Sequence, residues 1–373
     1  MKVAIVYDRV NKFGGAERVL LALHEIWPDA PLYTAVYDPN RATWASIFEV
    51  HSSFLQWLPF AKSHHELYPW LTPVAFESFT FDQYDVVISV TSAEAKNIIT
   101  KPGTVHICYC LTPTRYLWSG YGEYRKNPNI GVPGWITGKL FPRLVPLLRT
   151  WDKIASFRPD TYIAISKTVA SRIDTYYKKE VKRVIYPPVE TKKFNIQRSE
   201  SKTEQSASYF LYVGRLVPYK RVDLVVDACN ELDVPLVVVV DGVERASLVK
   251  RARKNVRFIP SVTDKELVGL YQNARAFVFA GIEDFGIAAV EAQAAGIPVI
   301  AYKEGGLAEI VIHGKTGLLF NEQTVSSLVD TMNQLTRFSY DRAVCQKNAE
   351  RFSGEIFKAE MKRTVQQVYN TYV

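Results

Sequence analysis

Residues 277–309 read FVFAGIEDFGIAAVEAQAAGIPVIAYKEGGLAE, and this stretch decides the fold. The apolar run Phe277 to Ala280 predicts a buried parallel strand, Gly281 a turn, and the alanine-rich segment from Gly286 a helix. Gly296 and Pro298 stop that helix. Val299 to Tyr302 then read as a second buried strand, and Gly305 with Gly306 opens another helix carrying Glu309. Strand, loop and helix repeated in this way specify an α/β chain with a parallel sheet. Two helix N-termini then face one sheet edge, which is where open α/β folds bind ligands.

Two carboxylates flank the first helix start, Glu283 just before it and Glu291 inside it. A helical rise of about 12 Å would separate them, too far to share one proton as a hydrolase pair does. Between them the backbone N–H groups of Phe285, Gly286 and Ile287 form a site for an anion such as a diphosphate. Carboxylate, anion cradle and carboxylate suit a nucleotide sugar, with hydroxyls at one end, phosphates in the middle and a ribose at the other. Either glutamate alone is more often structural, because acids in a first helical turn offset the helix dipole. The spacing together with the Gly-Gly pair carries the functional reading.

Toward the N-terminus, YFLYVGRLVPYKRVDLVVDA (209–228) gives a strand, a turn at Gly214 and a helix from about Arg221. Arg215 and Lys220 fall on the loop at the same kind of sheet edge, where a guanidinium fork and an ammonium can hold a diphosphate. Strand, turn and amphipathic helix also follow at VRFIPSVTDKELVGLYQNA (256–274), with Val262 in the turn. Near the start, Val3 to Tyr7 read as a strand, followed by Gly14 and Gly15, which let backbone approach a ligand closely, and a helix from Ala16 to Ile26. Asp85 to Val90, Val105 to Cys110 and Thr161 to Ile165 complete a first set of strands, with a helix from Thr168 to Tyr177. RVIYPPV (183–189) closes that half with a stiff proline pair suited to a hinge, and the polar run Asn195 to Ser208 reads as a mobile surface loop.

The length of 373 residues suits two domains, and 47% apolar residues suit a globular chain. The formal charge of +8 draws the chain to polyanions, among which nucleotide phosphates and anionic lipid rank above nucleic acid because no RNA-reading motif is present. Cys108, Cys110, Cys229 and Cys345 lack metal-site spacing and read as reduced core thiols, which points to the cytoplasm. Asp8 interrupts what a signal peptide would keep apolar, so the N-terminus reads as a strand. No Asp-x-Asp, histidine cluster or G-x-S-x-G occurs, so no metal and no serine nucleophile is expected. Two stretches suit an anionic membrane surface: 54–76, with Trp57, Phe60 and Trp70, and 135–151, with Lys139, Arg143 and Arg149. Pro142 and Pro146 are expected to interrupt a helix in the second.

The segments EDFGIAAVE, AAGIPVIAY, GGLAEIV and GKTGLLF together resemble the Glu-x7-Glu region of family 4 retaining glycosyltransferases, and the resemblance extends over nearly the whole chain. It implies the GT-B fold, two Rossmann-like doubly wound domains facing a central cleft. The boundaries are 1–188 for the acceptor domain, 189–353 for the nucleotide-sugar domain, and 354–373 for a helix crossing back to the first.

The implied reaction transfers a hexosyl group from a nucleoside-diphosphate sugar to a hydroxyl of a glycan or lipid-linked acceptor, with retention and without a metal or cofactor. The resemblance implies that Glu283 contacts the sugar, Arg215 and Lys220 the diphosphate, and Glu291 the ribose. Gly14, Gly15, Gly214, Val262, Asp284, Phe285, Gly286 and Ile287 complete the implied donor site. CYCLTPTRYLW (108–118) is most similar to bacterial mannosyltransferases of polysaccharide and glycolipid assembly, so GDP-mannose is the favoured donor and a UDP-sugar the alternative. Two departures stand out. Leu111 replaces the family histidine, and the Gly-x-Gly-Pro loop keeps only Gly242, with Val240 and Val243 replacing its partners. They motivate two rivals, a catalytically silent nucleotide-sugar binding protein and a GT-B nucleotide-sugar epimerase.

Overall fold

The computed structural model describes residues 1–126, 134–195, 209–337 and 339–372. It divides into two compact units, Met1–Tyr186 together with Phe357–Val373, and Pro187–Ile356. Each unit is built on one parallel sheet. In the first the strands are β1 (Val3–Tyr7), β2 (Leu32–Thr34), β3 (Val50–Ser52), β4 (Val86–Thr91), β5 (Val105–Cys110), β6 (Thr161–Ala164) and β7 (Arg183–Val184), in the order β3-β2-β1-β4-β5-β6-β7. In the second they are β8 (Tyr209–Val213), β9 (Leu236–Val239), β10 (Val256–Ile259), β11 (Ala274–Phe279), β12 (Val299–Tyr302) and β13 (Gly317–Phe320), in the order β10-β9-β8-β11-β12-β13.

The central strands are mostly apolar, with a few buried polar residues such as His106, because helices cover both faces. Every residue of β1, β4 and β5 is buried, as expected of parallel sheets. Both orders reverse once, between β1 and β4 and between β8 and β11. Each reversal leaves a crevice at the strand C-termini, because consecutive connections leave it in opposite directions. This doubly wound α/β construction, repeated once, is the GT-B architecture.

The helix Gly354–Tyr372 joins the first unit from Phe357 onward, where the Phe357 ring lies 5.8 Å from that of Tyr109 in an edge contact. In the 54–76 region, Leu55, Ala61, Ala75 and Phe76 enter the core with Tyr33 and Phe81, while Trp57 and Phe60 remain exposed. The polar run expected as a surface loop lies, from residue 196 to 208, outside the described residues.

One expectation is corrected. Pro142 and Pro146 do not interrupt the helix, which runs unbroken from Gly134 to Ala155. The prolines are four residues apart and so share a face turned from the core, while Val145 and Leu148 point inward against Leu117. The Thr150 hydroxyl donates back to the Pro146 carbonyl at 3.1 Å, the i−4 bond that threonine makes inside helices. Nothing is described of the Trp135 and Lys139 side chains. Among the described residues no helix is long and apolar enough to cross a membrane.

Candidate functional site

The reversal between β8 and β11 gathers most of the residues singled out from sequence. The loop after β8 carries Gly214, Arg215 and Lys220, and the loop after β11 carries Glu283 to Gly286. Lys220 Nζ lies 2.7 Å from Glu283 Oε1, with the two side chains 14% and 18% exposed. Beneath them the Tyr212 and Phe279 rings stack at 5.8 Å, and Lys220 Nζ stands 5.8 Å above Phe279. The Tyr212 hydroxyl is held in its neutral form, first by burial and then by the negative charge of Glu283. A floor of aromatic rings under a half-buried ion pair keeps both charges in weakly screened surroundings, where their effect on a ligand is larger than in water.

Glycine makes this proximity possible. A Cβ on Gly281 would stand 2.5 Å from Lys220 Cα, so only glycine lets the two loops touch. The third loop is seated in the same way. A Cβ on Gly306 would meet Phe285 Cα at 2.4 Å, and the Gly306 N–H donates to the Glu283 carbonyl at 2.8 Å. The 305–306 turn after β12 therefore braces the backbone of the Glu283 loop. The helix Ile287–Ala294 begins at Gly286 with no side-chain cap, so its positive end is not neutralised by a side chain of its own N-cap. The Phe285 ring is buried against Phe352 at 5.5 Å, which fixes the entry into that helix.

Glu291, inside the helix that follows, is almost fully enclosed. It is 4% exposed, and its Oε2 accepts from the Tyr271 hydroxyl at 3.0 Å. The same hydroxyl lies 3.2 Å from the Ala288 carbonyl, and the ring packs on Phe194 at 5.4 Å. Tyr271 was missed by sequence reading because it sits inside an amphipathic helix, Asp264–Asn273, where a tyrosine reads as core. Val262 lies half-buried just ahead of that helix, after the outer strand β10 and away from the Lys220–Glu283 pair along the sheet. Arg215 is exposed, and its carbonyl lies 3.4 Å from the Tyr212 hydroxyl.

The altered loop after β9 keeps a glycine-like shape. Val240 adopts φ 85°, a left-handed conformation that a β-branched residue rarely takes, and its N–H donates to the Ile259 carbonyl at 3.0 Å. A valine holds this conformation because the surrounding strands dictate it, at a cost of about 1–3 kcal/mol.

At the first sheet's reversal the polar groups turn inward. Asp8, at the end of β1, accepts from the Thr91 hydroxyl at 2.8 Å, from the Ser92 N–H at 2.7 Å and hydroxyl at 3.2 Å, and from the Ala95 N–H at 2.8 Å. Gly14 is the N-cap and Gly15 the first residue of the helix Gly15–Ile26, whose first turn carries Glu17. Glu17 is buried and accepts from the Tyr7 hydroxyl at 2.7 Å, so a carboxylate already answers this helix's positive end. Leu111, half-buried at the end of β5, donates its N–H to the Thr91 carbonyl at 2.8 Å. The loop after it is anchored by a buried cluster. Lys96 Nζ contacts Asp152 Oδ1 at 2.5 Å and Thr114 Oγ1 at 3.1 Å, and Trp118 Nε1 donates to Asp152 Oδ2 at 2.7 Å. Burial opposes the Lys96 charge, but Asp152 outweighs it and holds the ammonium pKa above its ordinary value.

Residues 193–352 match the family model described as Glycosyl transferases group 1. Among curated relatives, an uncharacterized glycosyltransferase of Methanocaldococcus jannaschii is 27% identical over 226 residues, 59% of this chain and 62% of that protein. The D-rhamnosyltransferase WbpZ of Pseudomonas aeruginosa is 32% identical over 159 residues, 40% of this chain and 42% of its own. The chain thus spans less than two thirds of the length of these relatives. Solved structures match more widely. Anabaena HepE in complex with UDP and glucose aligns over 98% of this chain and 99% of its own, at 19% identity and a TM-score of 0.69. The lipopolysaccharide outer core galactosyltransferase WaaB aligns over 98% and 99%, at 17% identity and a TM-score of 0.68. These likenesses show the GT-B fold for the whole chain.

Proposed function

We propose that this protein is a glycosyltransferase that moves a hexosyl group from a nucleoside-diphosphate sugar to a hydroxyl of a glycan or lipid-linked acceptor, retaining anomeric configuration and using no metal. The observation that carries this reading is the Lys220–Glu283 pair at the β8/β11 reversal, beside a helix start without a side-chain cap. The ammonium and the helix start supply positive potential for a diphosphate, and the carboxylate accepts hydroxyl donors. A nucleotide sugar carries both groups on one molecule.

In this mechanism Lys220 and Arg215 stabilise charge growing on the departing diphosphate, which is the main electrostatic contribution expected of such a site. The N–H groups of Phe285, Gly286 and Ile287, with Asp284 beside them, line the phosphate path, while Gly214 leaves room next to Lys220. Glu283 orients the sugar, and donor binding would draw Lys220 from Glu283 toward the phosphates. Glu291, oriented by Tyr271, takes the ribose hydroxyls. The leaving phosphate accepts the acceptor proton, so Leu111 is compatible with turnover although it cannot titrate. GDP-mannose is the favoured donor and a UDP-sugar its rival, the latter supported by the likeness to HepE solved with UDP. Gly14 and Gly15 face the donor phosphate and the acceptor, and Val262 borders the base. We place the reaction on the cytoplasmic side of a membrane, with peripheral contact to anionic lipid.

The test is thermal unfolding with GDP, UDP, ADP and their sugar conjugates, followed by a transfer assay with the donor selected. Ligand at about 100 times its dissociation constant stabilises by roughly 2.7 kcal/mol. A selective shift by one nucleotide family supports the donor site, and no shift with any sinks it. Binding without turnover on a broad acceptor panel would instead favour a silent binding protein, and sugar conversion without an acceptor an epimerase.

A further inference from the structure

The outward face of the helix Gly134–Ala155 is unlike that of a solvated helix. Leu147, Ile154 and Phe157 are 59%, 58% and 61% exposed, the last in the turn that continues the helix. At 100° per residue these three, with Arg143 and Thr150, fall within an arc of roughly 80°. Val145, Leu148 and Asp152 point the other way, into the protein. The face is therefore apolar by placement and does not come from a frayed end.

On the helix itself the exposed charge is of one sign, and the acids nearest the face in sequence, Asp160 and Glu180, lie beyond its C-terminal end. Arg143 and Lys153 are exposed on or beside the arc, and Lys179 Nζ lies 4.1 Å from the Phe157 ring centroid. The only acid in the 22-residue helix is Asp152, which is buried with Lys96 and Trp118. A solvated helix normally mixes both signs on its outer face, and a surface made to receive a second copy of itself would bring cations against cations. Large apolar side chains ringed by cations fit an anionic bilayer, where the apolar groups enter the acyl boundary and the ammonium and guanidinium groups meet lipid phosphate.

We infer that this face, centred on Leu147, Ile154 and Phe157 and flanked by Arg143, Lys153 and Lys179, is the surface that docks the protein on an anionic membrane. The inference rests on the membrane contact proposed above and not on the transfer chemistry, so nucleotide binding can stand or fall independently.

The experiment is co-sedimentation of the full chain with phosphatidylcholine vesicles with and without phosphatidylglycerol, at low and high salt. Binding to the anionic vesicles that weakens with salt is expected, since each basic residue near the surface contributes roughly a fivefold gain in partitioning. A Leu147→Ser/Ile154→Ser/Phe157→Ser variant should lose at least about tenfold even at low salt. An Arg143→Gln/Lys153→Gln/Lys179→Gln variant should lose the preference for anionic vesicles. Melting curves and nucleotide-induced shifts check that each variant is folded, and if the apolar variant is not, the charge variant decides. No wild-type binding at low salt overturns the inference, as does unchanged binding by the folded variants. Loss confined to a Trp57→Ser/Phe60→Ser control would move the surface to the 54–60 region. Self-association of wild type, abolished in the apolar variant without any vesicle binding, would assign the face to a second copy of the chain.

Discussion

At the reversal of the first sheet, Asp8 is buried and accepts four hydrogen bonds from Thr91, Ser92 and Ala95, all on the neighbouring strand or just after it. At the reversal of the second, Glu283 is part-exposed and faces a lysine from a different loop. The topology is the same and the acids stand at corresponding edges, yet one is bonded into the fold and the other stands part-exposed against a lysine side chain. A carboxylate saturated by backbone and hydroxyl donors has little to offer a substrate. In the mechanism we propose, the one paired with Lys220 over an aromatic floor exchanges that partner for sugar hydroxyls while the ammonium turns to phosphate.

The largest test of this contrast is Glu283→Ala. Transfer should fall by about a thousandfold, or roughly 4 kcal/mol, while nucleotide affinity changes by less than about tenfold. Undiminished product formation would remove Glu283 from the mechanism. Asp8→Ala should act on stability instead. Four donors would lose their acceptor, and urea unfolding should report a loss of about 3 kcal/mol. If Asp8→Ala left the midpoint unchanged, the first crevice would not be the structural one.

Acid should also separate the two sheets. His106 in β5 is fully buried, with Nε2 2.8 Å from the Ser89 hydroxyl and no hydrogen-bond partner on Nδ1. Burial, with a smaller push from the Arg158 charge, lowers its pKa from 6.5 to about 3. Above pH 6.5 the folded and unfolded chains both hold it neutral and its stabilisation is complete. Below that, the unfolded chain takes a proton that the folded one refuses, so stability drains away down to about pH 3. Between pH 6.5 and 5 the loss is about 2 kcal/mol. Hydrogen exchange, corrected for intrinsic rates, should show β4, β5 and β6 losing protection over this range more than β8 and β11. Equal loss in both sheets would argue against His106 as the cause. The smallest effect is expected at Val240→Gly. Relieving a left-handed valine should raise stability by about 1 kcal/mol, and a lower melting temperature would show that the valine side chain contributes more than its backbone costs.

The alternation of apolar runs with amphipathic stretches was enough to read two parallel α/β units, because burial on both faces leaves a strand few polar positions. Glu283 and the helix start at Gly286 were legible for the same reason, being local to one strand, loop and helix. The persistence of the helix through Pro142 and Pro146 was not, since proline's helix-breaking effect is local while the burial of Val145 and Leu148 that opposes it is tertiary. Nor did sequence distinguish Asp8 from Glu283: both follow a buried strand, and only the groups brought in from other strands give one four donors and the other a lysine.

The sequence by itself determined which segments are strands and helices, because side-chain periodicity and chain stiffness act over a few residues. Tertiary structure alone decided that Lys220 meets Glu283, that Tyr271 claims Glu291, and that Leu147, Ile154 and Phe157 face outward together. Those outcomes depend on the parallel pairing of β8 with β11 and on which face of each helix meets the core. Both follow from distant residues burying their apolar surface at once, which no local stretch of sequence records.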